Sequence, residues 1–214
     1  MYRPGAFVED DPARLAALIR MSPLASLVVH TRGRLLAAHA PVLAEQAPDG
    51  SITALVGHLA RANPFWSELE DGAEVLAIFT GPDAYVSPSV YPSKQEHGEV
   101  VPTWNYARIE ARGRITVEAD PAKVRPYFES LTEAHEKDRA EPWSVGDAPD
   151  RYIEKLQHAL VGIRIAVEDI RGALKLSQNK TDPDFAGVRD ALAASSSLSD
   201  QATSALMALT ARLD

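Results

Sequence analysis

Three short blocks of the chain mix hydroxyls, amides, cations and aromatic rings with apolar, strand-like sequence. They read GHLARANPFW over 57–66, GPDAYVSPSVYPSK over 81–94 with VPTWNY over 101–106, and KLSQNK over 175–180. Polar groups of these kinds are costly to bury unless each has a hydrogen-bonding partner. A bound polar ligand supplies such partners, so the blocks are candidates for a ligand site.

The first block, GHLARANPFW, has the residue types of an anion site. Arg61 can form a bidentate pair with a phosphate, and His58 and Asn63 can add donors. Backbone N–H groups at a helix start also favour an anion, and Asn63-Pro64 is typical of such a start. The alternative is that Asn63 only caps the helix while Arg61 pairs with a nearby carboxylate.

The block over 81–94 offers hydroxyls and a cation on a loop that contains prolines. Its donors are Ser87, Ser89, Tyr91, Ser93 and Lys94. Pro88 and Pro92 stiffen the loop, which lowers the entropy lost when it holds a ligand. The alternative is a proline-rich surface loop without a ligand.

The sequence VPTWNY predicts a strand that combines rings with polar side chains. Side chains alternate along a strand, so Trp104 and Tyr106 share one face. Thr103 and Asn105 share the other. A flat aromatic heterocycle can stack on one ring while Thr103 or Asn105 bonds its edge. The alternative is a structural aromatic cluster in which Asn105 bonds to the backbone.

The last block, KLSQNK, supplies Lys175, Ser177, Gln178 and Asn179. Its two amides donate and accept hydrogen bonds, as recognition of a ring that carries both kinds of group requires. The alternative is a polar turn that precedes a helix beginning at Asp182.

Strands with short connections are predicted to position these blocks. The predicted strands are 25–30, 34–44, 52–57, 73–80, 84–86, 100–111, 114–117 and 162–170. Gly81-Pro82-Asp83 is predicted to turn the chain, 87–98 to form a loop, and Gly113 to mark a bulge or bend. Short connections favour an antiparallel sheet or barrel over a parallel sheet.

Helices are predicted around this sheet. They begin at Pro12, Asn63-Pro64, Pro121, Pro149, Asp182 and Ser199, the last running to Leu213. Pro126 is expected to delay or kink the helix that begins at Pro121. The predicted fold class is mainly β with helical additions (α+β), as one barrel-centred domain over 1–214 whose C-terminal part, about 182–214, is helical.

Composition and motif content exclude several classes of function. The 214 residues carry a net charge of −8, which argues against non-specific binding to nucleic acid, and include no cysteine nucleophile or thiolate ligand. The acidic N-terminus lacks the apolar region of a secretory signal, and no apolar run approaches the ~20 residues that span a bilayer. Histidine spacing fits no metal site, and no nucleophile elbow or phosphate-binding loop is present. We therefore expect a cytoplasmic protein without a metal, and no residue is singled out as catalytic.

Several motifs resemble those of a known family and occur in its order. They are MYRPGAF, GHLARANPFW, FTGPDAYVSPSVYPSK, VPTWNY, DAP and KLSQNK. From Met1 to about Leu192, the chain is similar to the PaiB-type FMN-binding negative transcriptional regulators. The resemblance implies an FMN-binding split β-barrel related to flavin reductases and pyridoxamine phosphate oxidases. It also implies a homodimer with flavin at the subunit interface.

The resemblance also implies a set of flavin-binding residues, by motif position. Arg61 is expected to hold the phosphate with its neighbours His58 and Asn63. The flavin is expected to be lined by His39, Ser87, Tyr91, Lys94, Thr103, Trp104, Asn105 and Tyr106. A further segment, expected to reach in from the partner subunit, consists of Lys175, Ser177, Gln178 and Asn179.

Four residues, at three sites, depart from the family pattern. Val90 stands where a tryptophan is expected, Ala173-Leu174 where a lysine-tryptophan pair is expected, and Arg164 where a glutamate is expected. Loss of rings would loosen flavin binding or leave room for another ligand.

The leading hypothesis is an FMN-binding split-barrel protein of a regulatory family. Because the chain is acidic, we expect regulation through a ligand, a redox state or a protein partner rather than through direct DNA binding. One alternative is a flavin-dependent oxidoreductase, in which the flavin carries the redox chemistry. The other is a haem-handling split barrel with His39 or another histidine as the iron ligand.

Overall fold

Residues 1–70 and 72–210 are described by a computed structural model of the chain. The chain forms two compact units. Unit 1 comprises Met1–Asp10, Thr80–Ile109 and Arg171–Asp214, and unit 2 comprises Asp11–Phe79 and Glu110–Ile170. Each predicted site residue belongs to one of these units, and the two are described separately.

The described strands form one antiparallel sheet. They are β1 Val8–Glu9, β2 Leu24–Thr31, β3 Arg34–Gln46, β4 Ile52–Ala60, β5 Glu74–Val86, β6 Thr103–Glu118 and β7 Leu160–Lys175. Their order is β1-β7-β4-β3-β2-β5-β6, and β6 also pairs with β7, so β2 to β7 form a closed ring. The predicted antiparallel barrel is therefore confirmed.

Helices accompany the sheet, as predicted, but the helix expected from Asn63-Pro64 is only a short 3₁₀ helix. The described α-helices are α1 Pro12–Met21, α2 Ser93–Glu96, α3 Pro121–Glu136, α4 Asp150–Ala159, α5 Asp182–Ala193 and α6 Leu198–Thr210. Short 3₁₀ helices cover Gly5–Phe7, Trp66–Glu68, Pro88–Val90 and Val145–Asp147. The predicted continuation of the last helix to Leu213 lies outside the described residues. Pro126 does not delay α3, which begins at Pro121 as predicted.

The first helix follows directly from its sequence signals. Asp11 caps α1 by accepting a hydrogen bond of 2.8 Å from the Arg14 N–H, and Pro12 occupies the first turn, where no N–H is needed. Leu15, Leu18 and Ile19 recur at helical spacing and are buried. Local propensity and tertiary burial agree here, which is why the prediction is confirmed.

The core of unit 2 comes from strand alternation. Leu27 and Val29 of β2, and Ile163 and Ile165 of β7, are almost fully buried, and they alternate with more exposed neighbours. A separate apolar cluster joins α3 to α4 and the segment between them; its members are Val124, Phe128, Val145 and Ile153.

The predicted turn at Gly81-Pro82-Asp83 is wrong, because β5 continues through these residues to Val86. The Arg108 guanidinium donates to the Gly81 carbonyl at 3.0 Å and to the Asp83 carboxylate at 2.6 Å. Ser199 Oγ donates to the Asp83 carbonyl at 2.7 Å. These contacts from distant parts of the sequence hold the segment extended, and they outweigh its local preference for a turn.

Gly113 lies within β6, which is continuous from Thr103 to Glu118, and the bulge or bend expected there stays a prediction. A Cβ atom at Gly113 would lie 1.9 Å from the Ala166 carbonyl oxygen on β7. The glycine therefore permits a close approach between two backbones. The adjacent strand prediction was too short, since β7 extends from Leu160 to Lys175.

Candidate functional site

Lys175 brings two of the predicted blocks together within unit 1. It is the last residue of β7, and its Nζ donates to Thr103 Oγ1 and to the Trp104 carbonyl, each at 2.5 Å. The Phe7 ring centroid lies 5.9 Å from the same nitrogen. The KLSQNK block therefore contacts the start of the VPTWNY strand directly, as a shared ligand site requires.

The charge of Lys175 is poorly compensated by its surroundings. Burial lowers the pKa of Lys175, and the positive charge of Lys180 lowers it further. Both acceptors of its hydrogen bonds are neutral. A half-buried ammonium beside a second cation is stabilised by an anion.

Two exposed aromatic rings lie on the neighbouring strands β5 and β6 of unit 1. Trp104 is 54% exposed and Tyr85 is 51% exposed, although both belong to well-formed strands. Their ring centroids are 5.9 Å apart and the rings meet edge to face at 68°. This geometry leaves indole surface open to solvent, on which a flat heterocycle can stack.

Asn105 points away from this surface into the interior of unit 1. It is 0% exposed, and its Oδ1 accepts a 3.1 Å hydrogen bond from Ser177 Oγ. Its Nδ2 lies 3.6 Å from the Met207 sulfur on α6, a weak acceptor. Ser177 has a positive φ of 65°, so this hydrogen bond holds the KLSQNK block in an unusual backbone conformation.

The other amides of this block have different surroundings. Gln178 Oε1 accepts from the Leu176 N–H at 2.7 Å, and its Nε2 donates to the Leu174 carbonyl. Both ends of the Gln178 amide therefore close the turn itself. The Asn179 side chain is exposed. The block is thus a polar turn before α5, and the same turn contains the ammonium described above.

The serines of the 81–94 block make contacts within unit 1, and one of them caps a short helix. Ser87 and Ser89 share a hydrogen bond of 2.8 Å, and Ser87 also caps the 3₁₀ helix Pro88–Val90. Ser93 donates its N–H and its hydroxyl to the Asp184 carboxylate on α5, at 3.1 and 2.7 Å. Lys94 is exposed on α2.

Tyr91 is the buried member of the same block. It is 2% exposed, and among the described residues its hydroxyl has no hydrogen-bonding partner. Burial raises the pKa of the Tyr91 phenol, and the negative charge of Asp184 raises it further. Lys180 Nζ lies 5.1 Å from the ring centroid. The phenol is therefore protonated at neutral pH and can donate a hydrogen bond.

Tyr106 shares the strand face of Trp104, as predicted from alternation. Its ring centroid lies 5.6 Å from the Arg108 guanidinium carbon, within cation–π range. Because Arg108 also pairs with Asp83, Tyr106 belongs to the contacts that hold β5 against β6 within unit 1.

In unit 2, Arg61 is engaged by the backbone. Its Nε donates to the His158 carbonyl at 2.9 Å, and one terminal nitrogen donates to the carbonyls of Ala119 and Leu160, at 2.7 and 2.9 Å. The Trp66 ring centroid lies 5.9 Å from the guanidinium carbon. Most of the donor capacity that a bidentate phosphate pair needs is thus used by the chain itself.

His58, on β4, is the unusual polar group of unit 2. Its Nδ1 is buried and, among the described residues, has no hydrogen-bonding partner. Burial lowers the pKa of His58, so the imidazole is neutral at neutral pH. A neutral imidazole with an unpartnered nitrogen is open to a ligand or a water molecule.

The remaining two predicted residues of unit 2 make local contacts. Asn63 Oδ1 accepts from the Phe65 N–H at 3.0 Å, which caps the turn leading into the 3₁₀ helix Trp66–Glu68. The Asn63 side chain therefore acts locally, as the alternative interpretation expects. His39 is exposed on β3, and its Nδ1 lies 3.1 Å from Ser26 Oγ on the paired strand β2.

The three departures from the family pattern have local explanations. Ala173 and Leu174 are buried in unit 1, so this pair packs against the interior. Arg164 pairs with Glu45 at 2.7 Å, and this bond raises the pKa of the guanidinium. The Val90 carbonyl would lie 2.3 Å from a Cβ atom at Gly187, so α5 packs closely against the Val90 segment.

The polar residues Lys175, Thr103, Trp104, Asn105 and Ser177 form what we call the unit 1 cluster. Sequence reasoning missed three residues that contact it. Phe7 and Tyr85 lie within the quoted motifs, and the pattern of buried Ala84, exposed Tyr85 and buried Val86 is the alternation that places Tyr85 outward. Met207 had no such signal, because it lies 102 residues from Asn105 in the sequence.

Comparison with known proteins identifies the family. A family model described as "Putative FMN-binding domain" matches residues 1–169. The chain belongs to this FMN-binding domain family. The predicted family and the predicted cofactor, FMN, are thereby confirmed.

Two relatives of this FMN-binding domain protein match most of its length. "Protease synthase and sporulation protein PAI 2" of Bacillus subtilis is 30% identical over 192 residues, covering 90% of this chain and 89% of the relative. An uncharacterized protein of Emericella nidulans is 32% identical over 222 residues, covering 88% of each.

Solved structures support the split-barrel fold of the FMN-binding domain protein. The FAD and heme binding protein from Mycobacterium smegmatis aligns with a TM-score of 0.56 and 22% identity, over 83% of this chain and 75% of that chain. The flavocytochrome Anf3 from Azotobacter vinelandii aligns with a TM-score of 0.56 and 12% identity, over 86% of this chain and 73% of that chain.

The chemistry of the unit 1 cluster fits FMN. An uncompensated ammonium, a hydroxyl and an open indole surface match a ligand that carries an anion and a flat polar ring. Among the described residues, no group of three or more metal-ligating side chains is present. Within the same residues, no helix is long and apolar enough to cross a membrane.

Proposed function

We propose that this chain is a flavin-dependent regulator that binds FMN through the surface formed by Lys175, Thr103 and Trp104. The observation that carries the proposal is the contact of the Lys175 ammonium with Thr103 and with the backbone of Trp104, whose ring is open. Trp104 stacks the ring, Thr103 orients the ammonium, and Lys175 supplies positive charge. When bound, FMN supplies reversible electron uptake.

The proposed regulation is indirect. The net charge of −8 opposes the phosphate contacts that direct DNA binding needs. Flavin binding or flavin redox state would instead alter a surface that a protein partner recognises. The relative from Bacillus subtilis, whose name associates it with protease synthesis and sporulation, is consistent with a regulatory role.

We also propose a homodimer with flavin at the subunit interface. The exposed rings of Tyr85 and Trp104 support it, because paired aromatic rings on strands are typical of surfaces that become covered. Sedimentation equilibrium with saturating FMN should give twice the chain mass. A single-chain mass under those conditions contradicts the dimer.

The test of the proposed function is a titration of the purified protein with FMN, followed by flavin fluorescence. Saturable binding is expected, with Trp104→Ala weakening affinity by roughly tenfold, the loss of about 1.4 kcal/mol of stacking. Trp143→Ala is the matched control, because Trp143 is 44% exposed but belongs to unit 2. It should bind FMN as the unchanged protein does.

Other outcomes of this titration refute the proposal. Absence of saturable FMN uptake removes the flavin function. A Soret band on adding haem, lost in a single histidine variant, replaces it with haem handling. Bleaching of the bound flavin by NAD(P)H with turnover replaces indirect regulation with oxidoreductase activity.

A further inference from the structure

Lys175 has one hydrogen-bond donor that is not engaged by the described residues. An ammonium carries three N–H donors, and two of them go to Thr103 Oγ1 and the Trp104 carbonyl. Among the ion pairs of the described residues, none joins Lys175 to a carboxylate. The side chain is therefore held in place without being neutralised.

The surroundings make this arrangement unfavourable unless an anion is present. Lys175 is half-buried, so its charge is only partly hydrated. Lys180 adds a second positive charge, whose repulsion acts in the same direction. Lys180 is in turn close enough to Asp184 to lower the pKa of that carboxyl. Lys180 therefore has a nearby negative charge, whereas no carboxylate of the described residues forms an ion pair with Lys175.

The two neutral acceptors orient the ammonium instead of neutralising it. Thr103 Oγ1 and the Trp104 carbonyl fix two of its N–H directions, which leaves the third available. The Trp104 carbonyl belongs to the residue whose ring is exposed, so the ammonium is bonded to the backbone of the residue that carries the open indole surface. A ligand that carries both an anionic group and a flat ring satisfies both features.

We infer that Lys175 binds an anionic group of the ligand that stacks on Trp104. This inference rests on the proposed function and assigns a role that the motif resemblance gave to Arg61, three of whose five N–H donors go to backbone carbonyls. For a flavin the anionic group has two sources: the phosphate of FMN, or the negative charge that the flavin ring gains on two-electron reduction.

The first experiment tests whether the phosphate of FMN is the anionic group that Lys175 binds. Affinities for FMN and for riboflavin, which lacks the phosphate, are measured for the unchanged protein and for Lys175→Gln. If Lys175 binds the phosphate, the preference for FMN falls by about tenfold or more in Lys175→Gln, in line with a charge-assisted hydrogen bond. Lys175→Arg keeps the charge and should retain most of the preference.

The second experiment tests whether the reduced flavin ring is the anionic group that Lys175 binds. The midpoint potential of bound flavin is measured by reductive titration against a reference dye. If Lys175 faces the ring, Lys175→Gln lowers the potential, because the cation that stabilises the reduced anion is gone. In that case the preference for FMN over riboflavin is unchanged.

Lys155→Gln is the matched control for both experiments, because Lys155 is exposed on α4 of unit 2 and the substitution changes the charge equally. Circular dichroism melting shows that each variant is folded. The inference is overturned when folded Lys175→Gln matches Lys155→Gln in both the FMN preference and the potential.

An independent measurement separates this inference from the proposed function. If the protein binds no flavin, melting temperatures with and without inorganic pyrophosphate are compared for the unchanged protein, Lys175→Gln and Lys155→Gln. Stabilisation that is lost only in Lys175→Gln supports an anion site at Lys175 although FMN binding has failed. Equal stabilisation of all three proteins overturns the anion site as well.

Discussion

Replacing Arg61 by alanine should destabilise the fold of unit 2. The guanidinium donates three hydrogen bonds to backbone carbonyls, at the end of α4, at the start of β7 and just after β6. These carbonyls, of His158, Leu160 and Ala119, lie where segments of the chain leave regular structure. Alanine removes the donors and leaves carbonyl oxygens without them in a partly buried region.

The expected loss in the free energy of unfolding follows from how far each of these hydrogen bonds is shielded from water. A hydrogen bond to a charged group contributes roughly 1.5–3 kcal/mol when shielded from water. The bonds to Ala119 and Leu160 are partly buried, whereas the bond to His158 is exposed and counts for less. Water can also reach part of the vacated space, so we expect a loss of about 3 kcal/mol in the free energy of unfolding.

The assay is thermal and urea unfolding followed by circular dichroism, without added flavin. For a chain of this size about 3 kcal/mol corresponds to a melting temperature lower by roughly 6–12 °C. Arg61→Lys should recover part of the loss, because an ammonium reaches some of the carbonyls but lacks the planar fork. Arg125→Ala is the control, since Arg125 makes only an exposed pair with Glu129 and should cost at most about 0.5 kcal/mol.

One result refutes this reasoning. If Arg61→Ala melts within the range of Arg125→Ala while FMN affinity falls steeply, Arg61 acts on the ligand and not on the backbone. The phosphate role implied by the motif resemblance would then be correct, and the contacts to three carbonyls would be energetically minor.

Three further predictions follow from buried polar groups and close backbone contacts. Burial lowers the pKa of His58, so below the usual pKa of histidine the unfolded chain binds more protons than the folded chain. The free energy of unfolding should therefore fall as pH drops through about 6.5. His58→Gln should flatten this fall when urea unfolding is measured at a series of pH values. Burial acts to raise the pKa of Asp184, but hydrogen bonds from Ser93 outweigh it and the pKa is lowered. The contribution of Asp184 to the free energy of unfolding should therefore be present above about pH 4 and lost below. The difference in stability between the unchanged protein and Asp184→Asn should close in acid, and a difference that is independent of pH contradicts this. Gly113→Ala places a Cβ against the Ala166 carbonyl and should cost about 2–3 kcal/mol or prevent soluble expression, whereas Gly5→Ala, with open space around it, should cost less than about 1 kcal/mol.

Much of the fold was predictable because local and tertiary preferences agree. The cap at Asp11, the apolar stripe of α1 and the hairpin of β2 and β3 each have a signal within a few residues. Where they disagree, as at Asp83, side chains from Arg108 and Ser199 overcome the local turn preference. No short window of sequence contains that information.

The candidate site was predictable by residue type but not by role. Lys175 and Trp104 were both expected at a ligand, and their direct contact supports a shared surface. Asn105 was expected beside them, yet it is buried and bonded to Ser177. Whether a polar side chain faces a ligand or the interior depends on which side of the strand is covered by a helix.

The sequence by itself determined the antiparallel barrel, the family and the set of polar residues from which a site can be built, because alternation, caps and motifs are properties of neighbouring residues. Only the tertiary structure decided which of these residues remain available. Arg61 gives three of its five N–H donors to carbonyls from segments far along the chain, and Lys175 gives two of its three to a hydroxyl and a carbonyl of unit 1. The physical reason is that each side chain has a fixed number of hydrogen-bond donors, and donors that bind the chain itself are not available to a ligand.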